Sequence, residues 1–123
     1  MPACLSATVL DTPDPRGLAA FYAELLGWRT AEDSSEWVVL RPPGGGVGLS
    51  FQREQQHVRP TWPAEEGTQR MQLHLDIEVD DLRSEVDRAV ALGASVAHVQ
   101  PQLHVRVLLD PAGHPFCMFV DES

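Results

Sequence analysis

The chain has 123 residues, 43% of them apolar, with 9 basic against 18 acidic side chains and a net charge of −9. That length suits one domain, and the apolar share is enough for a core. So acidic a chain disfavours nucleic acid and anionic membranes, which need basic patches. No apolar run nears the roughly 20 residues that span a bilayer.

The start, "MPACLSATVL", lacks the basic segment and long apolar stretch of a signal peptide. Cys4 and Cys117 are too few for a disulfide framework. Both stand in apolar runs and read as buried thiols of a cytoplasmic protein. Residues 4–11, "CLSATVLD", read as a strand. "TPDP" breaks it. Asp14 can cap a helix and Pro15 suits its first turn. Leu18, Phe21, Tyr22, Leu25 and Leu26 follow at helical spacing, and Gly27 stops the helix. "WRTAE", "EWVVLRP" and "VGLSFQRE" read as three strands, with turns at "DSS" and "PPGGG". The run "GGGVG" has no helix after it, so it is a turn and not a phosphate loop.

Residues 54–70 form a long polar connection carrying two prolines around Trp62. Beyond it the element order recurs. "RMQLHLDIEV" reads as a strand over 70–79. "DDLRSEVDRAVALG" reads as a helix with Leu82, Val86, Ala89, Val90 and Leu92 inward. "ASVAHV", "LHVRVLLD" and "FCMFV" complete the set, the last after the turn "PAGHP". The halves align at a fixed offset: Asp14 answers Asp81, 67 positions later. Repetition at this scale marks two supersecondary units. The chain is therefore read as one domain over 1–123, with module one at 1–53, the connection at 54–70 and module two at 71–123.

Asp14 with "LAAFYAELLGW", then "HLDIEVDDL", then "LLDPAGHPF", resembles the vicinal oxygen chelate superfamily. That group includes glyoxalase I, extradiol dioxygenases and the bleomycin and fosfomycin resistance proteins. More closely, the chain is similar to small single-domain glyoxalase-like proteins of high-GC bacteria. The resemblance spans almost the whole chain. It implies an α+β fold of two βαβββ modules whose mixed sheets form a cup, with helices outside, and a homodimer. Function would then lie in the cup.

Metal-dependent members of that superfamily carry four cup-facing ligand positions. The resemblance puts His74 and Cys117 at two of them, and the offset carries these back to Ala7 and Ser50. Alanine offers no donor and serine is a poor one, whereas catalytic zinc normally takes three protein ligands. Asp76 and Glu78 share the face of His74 by alternation. A His-x-Asp-x-Glu row spreads about 6.5 Å per two residues, so it is not expected to converge on one ion without help from facing strands. The expectation is therefore no cofactor, with a divalent metal at His74 the lesser reading. His74 is open to three roles: hydrogen bonding in the wall, substrate contact or metal binding. Beside it, Asp76 and Glu78 are either solvated or tune it as a base. Cys117 is either a small core residue or a nucleophile beside a histidine. Trp62 either closes over a ligand or packs an interface. Arg106, grouped with His104 and Leu108 by alternation, either faces the cup to meet an anion or pairs on the surface.

Two functions follow. One is a small-molecule-binding protein of the resistance type, probing its ligand with Ser50, Trp62, His74, Asp76, Arg106 and Cys117. Its cup would be lined by Leu5, Ala7 and Val9 besides, and would suit a cationic or amphipathic organic ligand. The other is a metal-dependent lyase, isomerase or dioxygenase centred on His74.

Overall fold

The computed structural model describes residues 2–121, and both helices begin where the two aspartates stand. Asp14 Oδ1 accepts from the Gly17 amide at 3.1 Å, and Asp81 Oδ1 accepts from the Ser84 amide at 3.4 Å. Each bond satisfies an amide that the first helical turn would leave unpaired, an effect of about 1 kcal/mol. Gly27 ends the first helix in the left-handed conformation, φ 71°, with its amide on Ala23 O.

The chain divides into two compact units, Met1–His57 and Val58–Ser123, parted inside the polar connection. The first runs β1 (Ala7–Thr12), α1 (Pro15–Leu26), β2 (Arg29–Asp33), β3 (Trp37–Arg41) and β4 (Gly48–Arg53). The second runs β5 (Leu75–Glu78), α2 (Leu82–Leu92), β6 (Ser95–Val96), β7 (Val105–Leu109) and β8 (Pro115–Phe119). The sheets are ordered β1-β4-β3-β2 and β5-β8-β7-β6. In each, the first and last strands of the unit pair parallel and the other pairs are antiparallel. These are two βαβββ modules of an α+β fold, each with a mixed sheet.

The repeat holds at the level of single residue pairs. Thr8–Leu49, Val9–Ser50 and Leu10–Phe51 in β1/β4 become Leu75–Phe116, Asp76–Cys117 and Ile77–Met118 in β5/β8, each partner 67 positions on. In the first unit, α1 buries Leu18, Tyr22 and Leu25 against Leu40, Leu49 and Phe51 of the sheet. Tyr22 and Phe51 stack at 5.8 Å and are fully buried. Each such side chain contributes about 1.5–3 kcal/mol by leaving water. The second unit's core centres on Ala89, Leu108, Phe116 and Met118, all fully buried.

Several elements are shorter than the periodicity suggests. β1 starts at Ala7, because its partner β4 starts at Gly48. Cys4 therefore precedes the strand and is exposed, not buried. The strand expected over 70–79 shrinks to Leu75–Glu78. Its partner β8 opens with Pro115, which has no amide hydrogen to extend the ladder. Val90 of α2 is 43% exposed rather than inward.

The strand expected over 94–99 is only Ser95–Val96, and a side chain does the rest of its work. Gln100 Oε1 accepts from the Val107 amide at 2.8 Å, and its Nε2 donates to Val107 O at 3.0 Å. The amide group thus stands in for a backbone neighbour on the open side of β7. Truncating one partner leaves the other unsatisfied, which costs about 1–3 kcal/mol for a buried group. Gln100→Ala should lose stability in that range by urea denaturation. A change within a few tenths of a kcal/mol would show that Gln100 does not hold this edge.

Candidate functional site

β5 alternates as its sequence says. Leu75 and Ile77 are half-buried toward the core, and Asp76 and Glu78 are exposed. The parallel pairing with β8 sets Asp76 directly opposite Cys117, so both side chains rise from the same face. His74 precedes the strand and turns back to it, with Nε2 3.2 Å from Asp76 Oδ1. The side chains of His74 and Asp76 are 38% and 60% exposed, so this pair adds little to stability. Its significance is geometric.

Cys117 stands half-buried beside them. Burial pushes its thiol above the ordinary range, and the Asp76 charge and a hydrogen bond to the Asp76 carboxylate push it further. The folded chain thus holds this proton more tightly than the unfolded chain does. The associated stabilisation is complete below the ordinary thiol range and is lost as pH rises through the folded value. A nucleophilic cysteine needs the opposite shift. The arrangement therefore disfavours Cys117 as a nucleophile.

One donor atom each from His74, Asp76 and Cys117 lies within 4.8 Å of the other two. Among the described residues this is the one such group of three or more His, Cys, Asp or Glu. Tetrahedral zinc with bonds of about 2.0–2.3 Å places its ligand atoms about 3.3–3.8 Å apart. Small side-chain adjustments would close the trio on an ion, so the residues fit one. The row alone does not converge, and the help from a facing strand that it needs is Cys117. The acidic row does spread along its own strand, but Cys117 joins from the neighbouring strand and His74 folds back from the strand's end.

The trio is particular to the second module. At the 67-residue offset its members answer Ala7, Val9 and Ser50. Ser50 is buried in the first unit, in register with Val9 and Val39. Trp62 lies half-buried in the connection, with its indole Nε1 shielded and lacking a hydrogen-bond partner among the described residues. Arg106 is in register with Met118, on the face opposite Cys117. Its Nη1 donates to Gln102 O, Leu103 O and Val105 O at 3.2, 3.0 and 2.8 Å. The strand begins at Val105, so alternation gives the Cys117 face to Val105 and Val107 and holds Arg106 to the preceding turn. His98 and His104 are exposed and lie outside the trio.

The turn that delivers β8 is tightly specified. Asp110, 1% exposed, accepts from the Ala112 and His114 amides through Oδ1, both at 2.9 Å. Gly113 has φ +87°, and a Cβ there would lie 2.8 Å from Arg59 Nε. Arg59 also donates to Pro111 O at 3.0 Å, tying the connection to this turn. That tie is not legible in the chain's pattern, because nothing in the motif points 52 residues upstream. In the first unit a broad hollow of about 640 Å³ is lined by polar groups such as Gln52, Glu54 and Gln56. Its Arg53 and Glu36 pair with each other at 3.3 Å.

A family model described as a glyoxalase-like domain matches residues 7–119. The chain belongs to that glyoxalase-like family, within the vicinal oxygen chelate group. No curated protein matches it significantly. Among solved structures, the chain is similar to a glyoxalase/bleomycin resistance protein/dioxygenase family enzyme from Burkholderia phytofirmans PsJN. The identity is 22% and the TM-score 0.71, over 96% of this chain and 98% of that one. It is also similar to TnmS3, an antibiotic binding protein from Streptomyces sp. CB03234, at 17% identity and TM-score 0.64, over 98% of each chain. The fosfomycin resistance protein FosX from Mesorhizobium loti matches at 13% and 0.69, over 98% of this chain and 94% of that one. At these identities the likeness shows the fold. No helix among the described residues is long and apolar enough to cross a membrane.

Thiol alkylation reads the Asp76–Cys117 contact directly. At mildly alkaline pH, iodoacetamide should modify exposed Cys4 before Cys117, followed by peptide mass spectrometry. Asp76→Asn removes the charge that opposes the thiolate and should speed Cys117. Faster reaction at Cys117 than at Cys4 in the parent chain would contradict the geometry.

Proposed function

We propose that this protein binds a small organic molecule on the open face of its second sheet, anchored by His74, Asp76 and Cys117. The observation that carries this reading is the asymmetry between the modules. The same scaffold is present twice, with the same strand register. Only the second copy carries an imidazole, a carboxylate and a thiol at the positions where the first has Ala7, Val9 and Ser50. Folding does not require these three groups, because the first module forms the same parallel pair without them. Polar groups gathered on an exposed face and not needed by the fold are what a binding site leaves behind.

The carboxylates of Asp76 and Glu78 favour a ligand with a cationic or hydrogen-bond-donating end. Val105 and Val107 share the Cys117 face through the β7–β8 register, and half-buried Val105 offers apolar surface beside it, with Val107 buried beneath. The antibiotic-binding and fosfomycin resistance proteins on the same fold support use of this scaffold for small organic ligands. A second reading, a metal-dependent lyase, isomerase or dioxygenase, is favoured by the convergence of the three donor atoms. His74, Asp76 and Cys117 would hold the ion, which would supply Lewis-acid polarisation of a bound oxygen.

A thermal-shift screen with small cationic aromatics tests the binding reading. A ligand at about 100 times its Kd adds about 2.7 kcal/mol to folded stability. At least one compound should raise the melting temperature, and the rise should vanish in His74→Ala and Asp76→Asn. No shift with any compound at high excess would remove the support for this function.

A further inference from the structure

We infer that the hollow of the first module is a second ligand site, suited to a neutral hydroxylated ring of the monosaccharide kind. It shares no residue with the site proposed on the second sheet and does not rest on that reading.

The hollow has a fixed aromatic platform. The β3–β4 register sets Trp37 opposite Gln52. Phe51 stacks on Tyr22 of α1, so alternation turns Gln52, and Trp37 with it, to the face away from the helix. Ser34 anchors the Trp37 backbone. Its amide and Oγ donate to Trp37 O at 3.0 and 3.1 Å, and its Oγ accepts from the Trp37 amide at 3.1 Å. Past the end of β4, Glu54 Oε1 accepts from the Gln56 amide at 2.9 Å, and Glu54 O accepts from the His57 amide at 3.2 Å. That turn sets exposed Gln55 and Gln56 on the rim. A platform already in place loses little freedom when a ligand settles on it.

The lining selects the ligand. At about 640 Å³ the hollow is of small-molecule size. Trp37 is its one apolar side chain, so a large apolar ligand finds too little enclosure. Glu36 is paired with Arg53, and Glu54 is engaged by the Gln56 amide, so the charges are largely spoken for and an anion meets net repulsion. No other described residue takes up the Trp37 indole N–H or the side-chain amides of Gln55 and Gln56. Amides donate and accept at once, as ring hydroxyls do. The C–H face of a sugar ring suits the electron-rich face of an indole. The repeat shows that pairing does not demand this chemistry. The corresponding pair in the second module is Val105 and Phe119, two apolar residues where the first has Trp37 and Gln52.

Saturation-transfer difference NMR on the full-length protein, with glucose, galactose and mannose at millimolar concentration, tests the site. At least one sugar should receive transfer on its ring C–H protons. The signal should be lost in Trp37→Ala, weakened in the Gln55→Ala/Gln56→Ala double variant, and unchanged in His74→Ala. Far-ultraviolet circular dichroism verifies folding, and the double variant alters only exposed side chains, so it decides the matter if Trp37→Ala does not fold. No transfer to any of the sugars overturns the inference, as does transfer that survives Trp37→Ala. Loss of transfer in His74→Ala overturns it too, because the sugar would then sit on the second module. Tetramethylammonium binding at Trp37 without sugar transfer overturns the assignment to a neutral ring. Thermal shifts with cationic aromatics and no sugar transfer would sink this site and leave the second-module reading standing.

Discussion

The candidate site depends on one pairing, the parallel ladder between β5 and β8 that fixes Asp76 opposite Cys117. A slip of one residue would turn Asp76 toward the core and bring Leu75 or Ile77 onto the open face. The register is held from the core side. Phe116 and Met118 are fully buried, and they alternate with Cys117 along β8. The same burial that stabilises the second unit therefore delivers the thiol to the other face. The Asp110 turn fixes where β8 begins, and Pro115 limits how far β5 can pair, leaving His74 free of the ladder to fold back on Asp76.

The internal repeat gives this arrangement its meaning. Both modules use the same capping aspartate, the same helix-stopping glycine and the same parallel pair. What differs is what the shared register displays. In the first module Val9 and Ser50 stand opposite each other; in the second, Asp76 and Cys117 do. Duplication of a scaffold with divergence on one face separates what folding requires from what it does not.

Much of the architecture was legible in the sequence, for local reasons. Asp14 with Pro15, Gly27 and the apolar spacing of α1 declare that helix without help from the rest of the chain. The repeat order and the 67-residue offset also survive to the level of single residue pairs. Less legible was anything set by a neighbouring strand. Alternation read along β7 grouped Arg106 with His104 and Leu108, but only pairing with β8 shows that this face is opposite Cys117. Alternation along β5 put His74, Asp76 and Glu78 in a row that needs a facing strand to converge. Which residue of that strand would help was not read from the pattern. Pairing the first and last strands of each module at the 67-residue offset would have set Asp76 beside Cys117. Gln100 replaces strand backbone with a side-chain amide, and Arg59 reaches the Pro111 carbonyl across 52 positions. No one-dimensional pattern encodes either contact.

The claim that these three residues act as one unit is tested most directly by calorimetric titration of a cationic aromatic ligand into the parent protein and into His74→Ala, Asp76→Asn and Cys117→Ser. The account predicts that each substitution weakens binding of the same ligand. Affinity unchanged in all three variants would contradict it, because the ligand would then sit elsewhere.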